Sequence, residues 1–190
     1  MKFYMKLQDW LAGPFSQKMQ KFMQNPYMHA LQVCFTIILP MIMVGSLASL
    51  VNTFRNFAPW LPDLSLINSF SFGLISIFMA FLIPYTIMES KKLQKQKMIT
   101  GFASVSALIA LANPQYVDGN LVINSGYVGT GGMTVAMVMG LVIGWLFSAY
   151  FKHGLFKKDS SLPSVVVVWF ESILIIFVLI LVCIIIGQNV

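Results

Sequence analysis

The chain has 190 residues, of which 58% are hydrophobic and only 9% are charged, and its mean hydropathy is +0.81. This small share of polar residues cannot cover the surface of a soluble globule of this size. The composition therefore predicts a helical membrane protein. The formal net charge is +6. Because membrane topology accounts for that charge, as shown below, no nucleic-acid partner is needed to explain it.

Residues 1–24 are predicted to form an amphipathic helix that lies in the membrane interface. Aromatic and aliphatic side chains recur there at helical spacing, while Lys6 and Lys21 lie largely off that stripe. Such a helix buries its apolar face among lipid chains and turns its lysines toward anionic headgroups. The pair Gly13-Pro14 is expected to break or bend it.

Residues 25–190 contain five apolar runs, which predict five transmembrane helices. The runs are 31–51, 66–88, 98–112, 133–151 and 164–187. A span needs about 20 apolar residues, so four of the runs are long enough. The third has about 15 residues, roughly 22 Å of helix. It must gain length by snorkelling of Lys97 and by continuing toward Tyr116, or else sit short among its neighbours.

The positions of Lys and Arg predict the orientation of the chain in the membrane. Eleven of the twelve precede the first run or lie between the second and third or the fourth and fifth, and Arg55 is the exception. Because basic loops stay on the cytoplasmic side, the N-terminus is predicted inside and the C-terminus outside. The alternation also favours a full crossing by the third run.

The fourth run carries one stripe of small residues at four-residue spacing. The stripe consists of Gly132, Ala136, Gly140, Gly144 and Ser148. Lipid gives helices no hydrophobic drive to associate, so close backbone approach over small residues holds them together. The run is predicted to be a packing hub, either within the chain or across a dimer.

Pro40 and Pro84 lie inside the first two runs. Each removes a backbone hydrogen bond and is expected to kink its helix, which neighbouring helices make tolerable in a membrane. Two interpretations remain open: a hinge in a moving transporter, and a fixed kink required by packing.

The stretch Gly129-Thr130-Gly131-Gly132 resembles a phosphate-binding loop only superficially, since no Lys follows where a P-loop requires one. It is predicted to be a tight turn that opens the fourth helix, with Thr130 as a candidate cap. His29 and His153 have no Cys, His or carboxylate nearby at ligand spacing. No metal site, cofactor or catalytic residue is therefore predicted.

Glu171 is an exception among the apolar residues of the fifth run. It stands about two turns into that run, between Phe170 and Ser172, where an ionised carboxylate is costly unless it faces protein or water. An acid at that depth is a candidate substrate-binding residue. The competing interpretation is a tilted helix whose first turns, after Pro163, remain in the interface.

Read in order, several motifs resemble the first half of the membrane subunit, enzyme IIC, of the lactose/cellobiose/diacetylchitobiose branch of the sugar phosphotransferase system. They are Asn25-Pro26-Tyr27-Met28-His29-Ala30-Leu31, Ile38-Leu39-Pro40-Met41 with Gly45-Ser46, Phe72-Gly73-Leu74-Ile75-Ser76, Gly101-Phe102-Ala103-Ser104-Val105 with Asn113-Pro114, Val128-Gly129-Thr130-Gly131-Gly132, and Ser161-Leu162-Pro163-Ser164 followed by Phe170. Their order and spacing hold along nearly the whole chain. The resemblance implies a multi-pass protein of a bacterial plasma membrane.

The resemblance also implies a division of labour. In such subunits five N-terminal helices form the scaffold and dimer part, and a second part carries the sugar site with Gly-Ile-His-Gly-like and Asn-Glu-Pro-like motifs. Neither motif occurs in this sequence, which ends at Val190. Polar residues usual in the family are replaced by Gln32-Val33-Cys34 before the first span and by Val168-Trp169 in the fifth.

Two functions are compatible with this pattern. The first is the scaffold half of a sugar permease, which lacks its own sugar site and works with a separate partner chain or as a homodimer. The second is a phosphotransferase-derived membrane protein without transport activity that acts in interaction, regulation or immunity. Catalysis is expected in neither, because a cytoplasmic partner subunit delivers phosphate to the sugar in the systems that the chain resembles.

Overall fold

The computed structural model describes residues 16–153 and 164–188, which form a bundle of α-helices with one β-hairpin. In chain order the elements are α1 (Ser16–Met23), α2 (Pro26–Phe54), α3 (Ser65–Ser71), α4 (Ile75–Ser90), α5 (Lys97–Leu111), β1 (Gln115–Val117), β2 (Asn120–Val122), α6 (Ser125–Val128), α7 (Met133–His153) and α8 (Ser164–Gln188). One 3₁₀ turn, Phe72–Leu74, joins α3 to α4, and another, Thr130–Gly132, leads into α7.

Within the described ranges, four helical segments are long and apolar enough to cross a membrane. They are Pro26–Phe54, Ser65–Ser90, Thr130–Lys152 and Val168–Gln188. A further apolar helix, Lys97–Leu111, is shorter. The prediction of an all-α membrane protein is therefore confirmed, and four of the five predicted spans have full length.

Of the helix predicted for residues 1–24, the structure describes only the last part, which is α1. Residues 1–15 lie outside the described part. Met19 and Phe22 of α1 are exposed. α2 then begins at once, because Asn25 caps it by accepting a hydrogen bond from the Tyr27 amide at 3.0 Å on its side-chain oxygen. Pro26 suits the first helical position, where no backbone N–H is required.

α4 lies at the centre of the bundle and packs against α2, α5 and α7, while α8 packs mainly on α5. The apolar side chains Ile75, Met79, Ile83 and Ile87 of α4 are at most 1% exposed. Their four-residue spacing puts them along one side of the helix. α4 therefore supplies the core against which the other helices pack.

α4 and α7 run parallel along a close seam, which we call the α4–α7 seam. An ideal Cβ at Gly140 would lie 3.0 Å from Ile83 Cβ, and one at Gly144 would lie 2.5 Å from Ile87 Cδ1. At one end of the seam the Ser76 hydroxyl donates to the Gly129 carbonyl at 2.5 Å. A larger residue at position 140 or 144 would press on these side chains of α4, so glycine favours the close approach of the two helices there.

The sequence predicts one helix for the second run. In the structure this run is interrupted by the 3₁₀ turn Phe72–Leu74. α2 crosses it there, since an ideal Cβ at Gly45 would lie 2.6 Å from Phe72 Cβ. The Ser71 hydroxyl donates to the Ile67 carbonyl at 2.6 Å and so satisfies a backbone acceptor beside the interruption. Tertiary crowding at Gly45 is thus the physical reason for the difference.

Of the two alternatives for the third run, the continuation toward Tyr116 is wrong, and the short helix is the one observed. α5 ends at Leu111, Asn113 takes a left-handed φ of 48°, and Pro114 follows. A residue before proline is disfavoured in the helical region, so the helix stops here. Tyr116 lies instead in β1 and is 79% exposed.

The hairpin of β1 and β2 was not predicted from the sequence. The strands are antiparallel, and Val117 faces Asn120 across the two-residue turn. Asp118 and Gly119 have φ of 50° and 79°, as a type I′ turn requires at both central positions. All six strand residues are exposed, so the hairpin projects from the bundle.

Bulk introduced into the α4–α7 seam should destabilise the fold. Gly144→Leu would force its side chain against Ile87 and should lower the free energy of unfolding by about 1–3 kcal/mol, the usual cost of overpacking. Val142→Leu is the matched control, because Val142 is 52% exposed and should change stability by less than about 0.5 kcal/mol. Thermal unfolding in detergent measures both variants, and equal midpoints would contradict the packing assignment.

Candidate functional site

Lys91, just beyond the end of α4, joins three helices. Its Nζ donates hydrogen bonds of 2.7 Å to the Tyr27 hydroxyl of α2 and of 2.7 Å to the Ser148 hydroxyl of α7. It also lies 4.6 Å from the centroid of the Tyr27 ring, a cation–π distance. Lys91 thus closes one end of the α4–α7 seam.

A second lysine lies at the same end of the bundle. Lys97 Nζ contacts a carboxylate oxygen of Glu89 at 2.7 Å and lies 4.8 Å from the Tyr85 ring centroid. Both partners belong to α4, so the first residue of α5 is held against the end of α4. The sequence identified Lys91 and Lys97 as topology signals, and their partners became visible only in the fold.

The opposite end of the bundle holds Arg55, the one basic residue outside the lysine clusters. Its guanidinium lies 3.1 Å from the Asp63 carboxylate. Asp63 also accepts hydrogen bonds from the backbone amide and the hydroxyl of Ser65. These hydrogen bonds, followed by the Arg55 charge, hold the pKa of Asp63 below its usual value. The positive charge of Arg55 is therefore balanced locally.

The side chain of Glu171 is buried in the bundle, and the residue is 6% exposed. Its backbone carbonyl accepts a 3.2 Å hydrogen bond from the Tyr150 hydroxyl of α7. The next residue, Ser172, donates from its hydroxyl to the Val168 carbonyl at 2.6 Å. Glu171 therefore lies where α7 and α8 meet, and not on a lipid-exposed face.

The five residues of the predicted stripe in α7 are all buried. Gly132 lies closest to another backbone, since an ideal Cβ there would be 1.8 Å from the Tyr127 carbonyl oxygen. Gly140, Gly144 and Ser148 face Ile83, Ile87 and Lys91 of the α4 segment in turn. The structure thus places this stripe against α4 within the chain.

Pro40 and Pro84 both lie inside helices that continue through them. Pro40 is exposed on α2, whereas Pro84 is buried in the α4–α7 seam. Pro84 Cδ would lie 3.3 Å from an ideal Cβ at Gly140. Pro84 therefore packs against α7 in the seam, whereas Pro40 lies outside the seam.

The Gly-Thr-Gly-Gly stretch forms the 3₁₀ turn before α7, and Gly129, not Thr130, occupies its N-cap position. No side-chain cap hydrogen bond is made there, so the expected capping role of Thr130 is wrong. His29 is an exposed residue of α2, and His153 is the last residue of α7. Among residues 16–153 and 164–188, no three His, Cys, Asp or Glu side chains are grouped to hold a metal ion.

Among the clefts on the surface of the described bundle, three bear on function. The first, of about 550 Å³, lies between α2 and α3 and includes Ser46, Ser49, Thr53 and Asn68. The second, of about 480 Å³, is lined by apolar side chains of α2, α4 and α5. The third, also of about 480 Å³, lies between the end of α4 and α7. Glu171 lines none of these three.

The fold described above defines a multi-pass α-helical membrane protein. The family model of the phosphotransferase system, EIIC, matches residues 32–190 of the sequence. The chain therefore belongs to the phosphotransferase system EIIC family, a family of sugar-transport membrane components. No curated protein and no solved structure matches the chain.

Proposed function

We propose that this chain is the scaffold part of a phosphotransferase sugar permease and that a partner chain supplies the sugar site. The main support is the way its polar groups are used. A disaccharide in a membrane needs several fixed polar partners, because each hydroxyl that leaves water without a new partner costs a few kcal/mol. The described helices offer few such partners.

The cleft between α2 and α3 is lined by several polar side chains. The Ser46 hydroxyl donates to the Met43 carbonyl at 3.0 Å, and the Thr53 hydroxyl donates to the Ser49 carbonyl at 2.9 Å. Their donors are thus already used by the helix. Asn68 Oδ1 is buried without a hydrogen-bond partner, but none of the lining residues is charged.

Under this proposal the scaffold carries out no catalysis. The phosphoryl group would reach the sugar from a cytoplasmic partner subunit, as in the systems that the sequence resembles. The membrane is the plasma membrane of a bacterium, where such permeases operate. The chain would associate with its partner, or with a second copy, through helix faces left open by the bundle.

We further propose five crossings, with the N-terminus in the cytoplasm. The short helix α5 reaches the same end of the bundle as α8, because an ideal Cβ at Gly187 would lie 2.9 Å from the Leu111 carbonyl oxygen. At its other end, Lys97 is held to Glu89 near the lysine-bearing end of α4. A 15-residue helix spans about 22 Å, so polar ends or local thinning must supply the remainder.

Reporter fusions test this topology. A reporter fused after Val190 should be exported, whereas one inserted within residues 91–97 should stay cytoplasmic, because that basic loop is retained inside. Paired alkaline phosphatase and green fluorescent protein fusions give opposite signals on the two sides. A cytoplasmic reporter after Val190 would remove one span, and α5 would then be the segment that fails to cross.

Sugar binding by the isolated chain should be absent. The purified protein should give no saturable heat by calorimetry with cellobiose, lactose or diacetylchitobiose at millimolar concentration. Glu171→Gln and Asn68→Leu serve as matched probes of the two candidate polar positions. Saturable binding that either variant abolishes would overturn the scaffold proposal and would identify that side chain as part of a sugar site.

An interaction function without transport is the second candidate, and the β-hairpin favours it. Its exposed Tyr116, Val117 and Leu121 present an apolar surface away from the bundle. Exposed strands with unpaired edges are surfaces on which a peptide can add a strand. The double variant Tyr116→Ser, Leu121→Ser separates the two functions. Sugar transport that requires the chain but is unchanged in this variant would favour the scaffold function. Loss of a bound partner protein in this variant would favour the interaction function.

A further inference from the structure

We propose that the cleft between the end of α4 and α7 binds the phosphate headgroup of an anionic phospholipid. The cleft is lined by Lys91, Leu93, Trp145, Ser148, Ala149 and Lys152 and has a volume of about 480 Å³. It is independent of any sugar site and of the transport proposal. We call it the lysine cleft.

Charge is the first argument for a headgroup ligand. Lys91 and Lys152 line the same cleft, and like charges brought together repel each other unless an anion lies between them. Within residues 16–153 and 164–188, Arg55 forms an ion pair with Asp63 and Lys97 forms one with Glu89. Neither pair involves a lysine of the cleft, so both ammonium groups are available to an external anion.

Preorganisation is the second argument. Lys91 is held by hydrogen bonds of 2.7 Å to the hydroxyls of Tyr27 and Ser148. An ammonium group has three donors, so one N–H remains for a ligand after these two bonds. A cation already fixed in position loses little side-chain freedom when it binds a phosphate.

Position in the membrane is the third argument and separates a lipid from a soluble anion. The lysine cleft lies at the end of the Thr130–Lys152 span, where the apolar helix gives way to lysines. Trp145 is 58% exposed beside it, and tryptophan prefers the headgroup region of a bilayer. Basic pockets between transmembrane helices at this depth typically bind anionic headgroups.

A lipid titration of the full chain in neutral detergent tests the proposal. Native mass spectrometry should show phosphatidylglycerol bound at least five-fold more tightly than phosphatidylcholine. Lys152→Gln should weaken phosphatidylglycerol binding about five-fold, the change expected when one cation near a membrane surface is lost. Lys152 makes no side-chain hydrogen bond or ion pair within the described residues, so this variant should fold normally.

Lys92→Gln is the matched control, since Lys92 is exposed, carries the same charge and does not line the cleft. It should leave phosphatidylglycerol binding unchanged. Equal binding of the two lipids, or an equal loss in Lys92→Gln and Lys152→Gln, would overturn the proposal. Displacement of phosphatidylglycerol by millimolar glycerol 3-phosphate or inorganic phosphate would also overturn it, because the ligand would then be a soluble anion.

Discussion

The close backbone contact between α4 and α7 is the interaction on which the rest of this bundle depends. In lipid there is no hydrophobic gain from bringing two apolar helices together, so packing and hydrogen bonds must hold them. Gly140 and Gly144 allow that packing against Ile83 and Ile87. α2 and α5 then pack on other faces of α4, and α8 packs on α5. If α4 were held apart from α7, the contacts of α2 and α5 with α4, and of α8 with α5, would loosen.

Polar groups mark the two ends of the same seam. The Ser76 hydroxyl binds the Gly129 carbonyl at one end, and Lys91 binds Ser148 and Tyr27 at the other. Each bond satisfies a group that would be costly to leave unpaired near lipid. Polar side chains spent in this way are not free for a substrate, which is why the geometry supports a scaffold more than a sugar site. The lysine cleft can accept an anionic ligand because neither Lys91 nor Lys152 is paired with a carboxylate among the described residues.

Much of this architecture was readable from local sequence signals. Apolar run lengths marked the long helices, and the four-residue spacing through Gly140 and Gly144 identified the face of α7 that meets a neighbour. What the sequence missed arises from contacts between distant segments. The interruption at Phe72–Leu74 follows from the crossing of Gly45, and the Lys91 site needs Tyr27 from another helix. The hairpin did carry a local signal, Asp118-Gly119, but the strands around it are too short to stand out beside long apolar runs.

A double-mutant cycle on Gly144 and Ile87 tests the α4–α7 contact most directly. Gly144→Leu alone should destabilise the protein, because an ideal Cβ at position 144 already lies 2.5 Å from Ile87 Cδ1 and 3.2 Å from Ile87 Cβ, which leaves little room for a larger side chain. In an Ile87→Ala background Ile87 Cδ1 is gone, so the same substitution should cost less, with a coupling free energy of about 1 kcal/mol between the two positions. Unfolding in detergent gives the four free energies. Additivity within about 0.3 kcal/mol would show that the two residues do not touch and would contradict the seam on which this account rests.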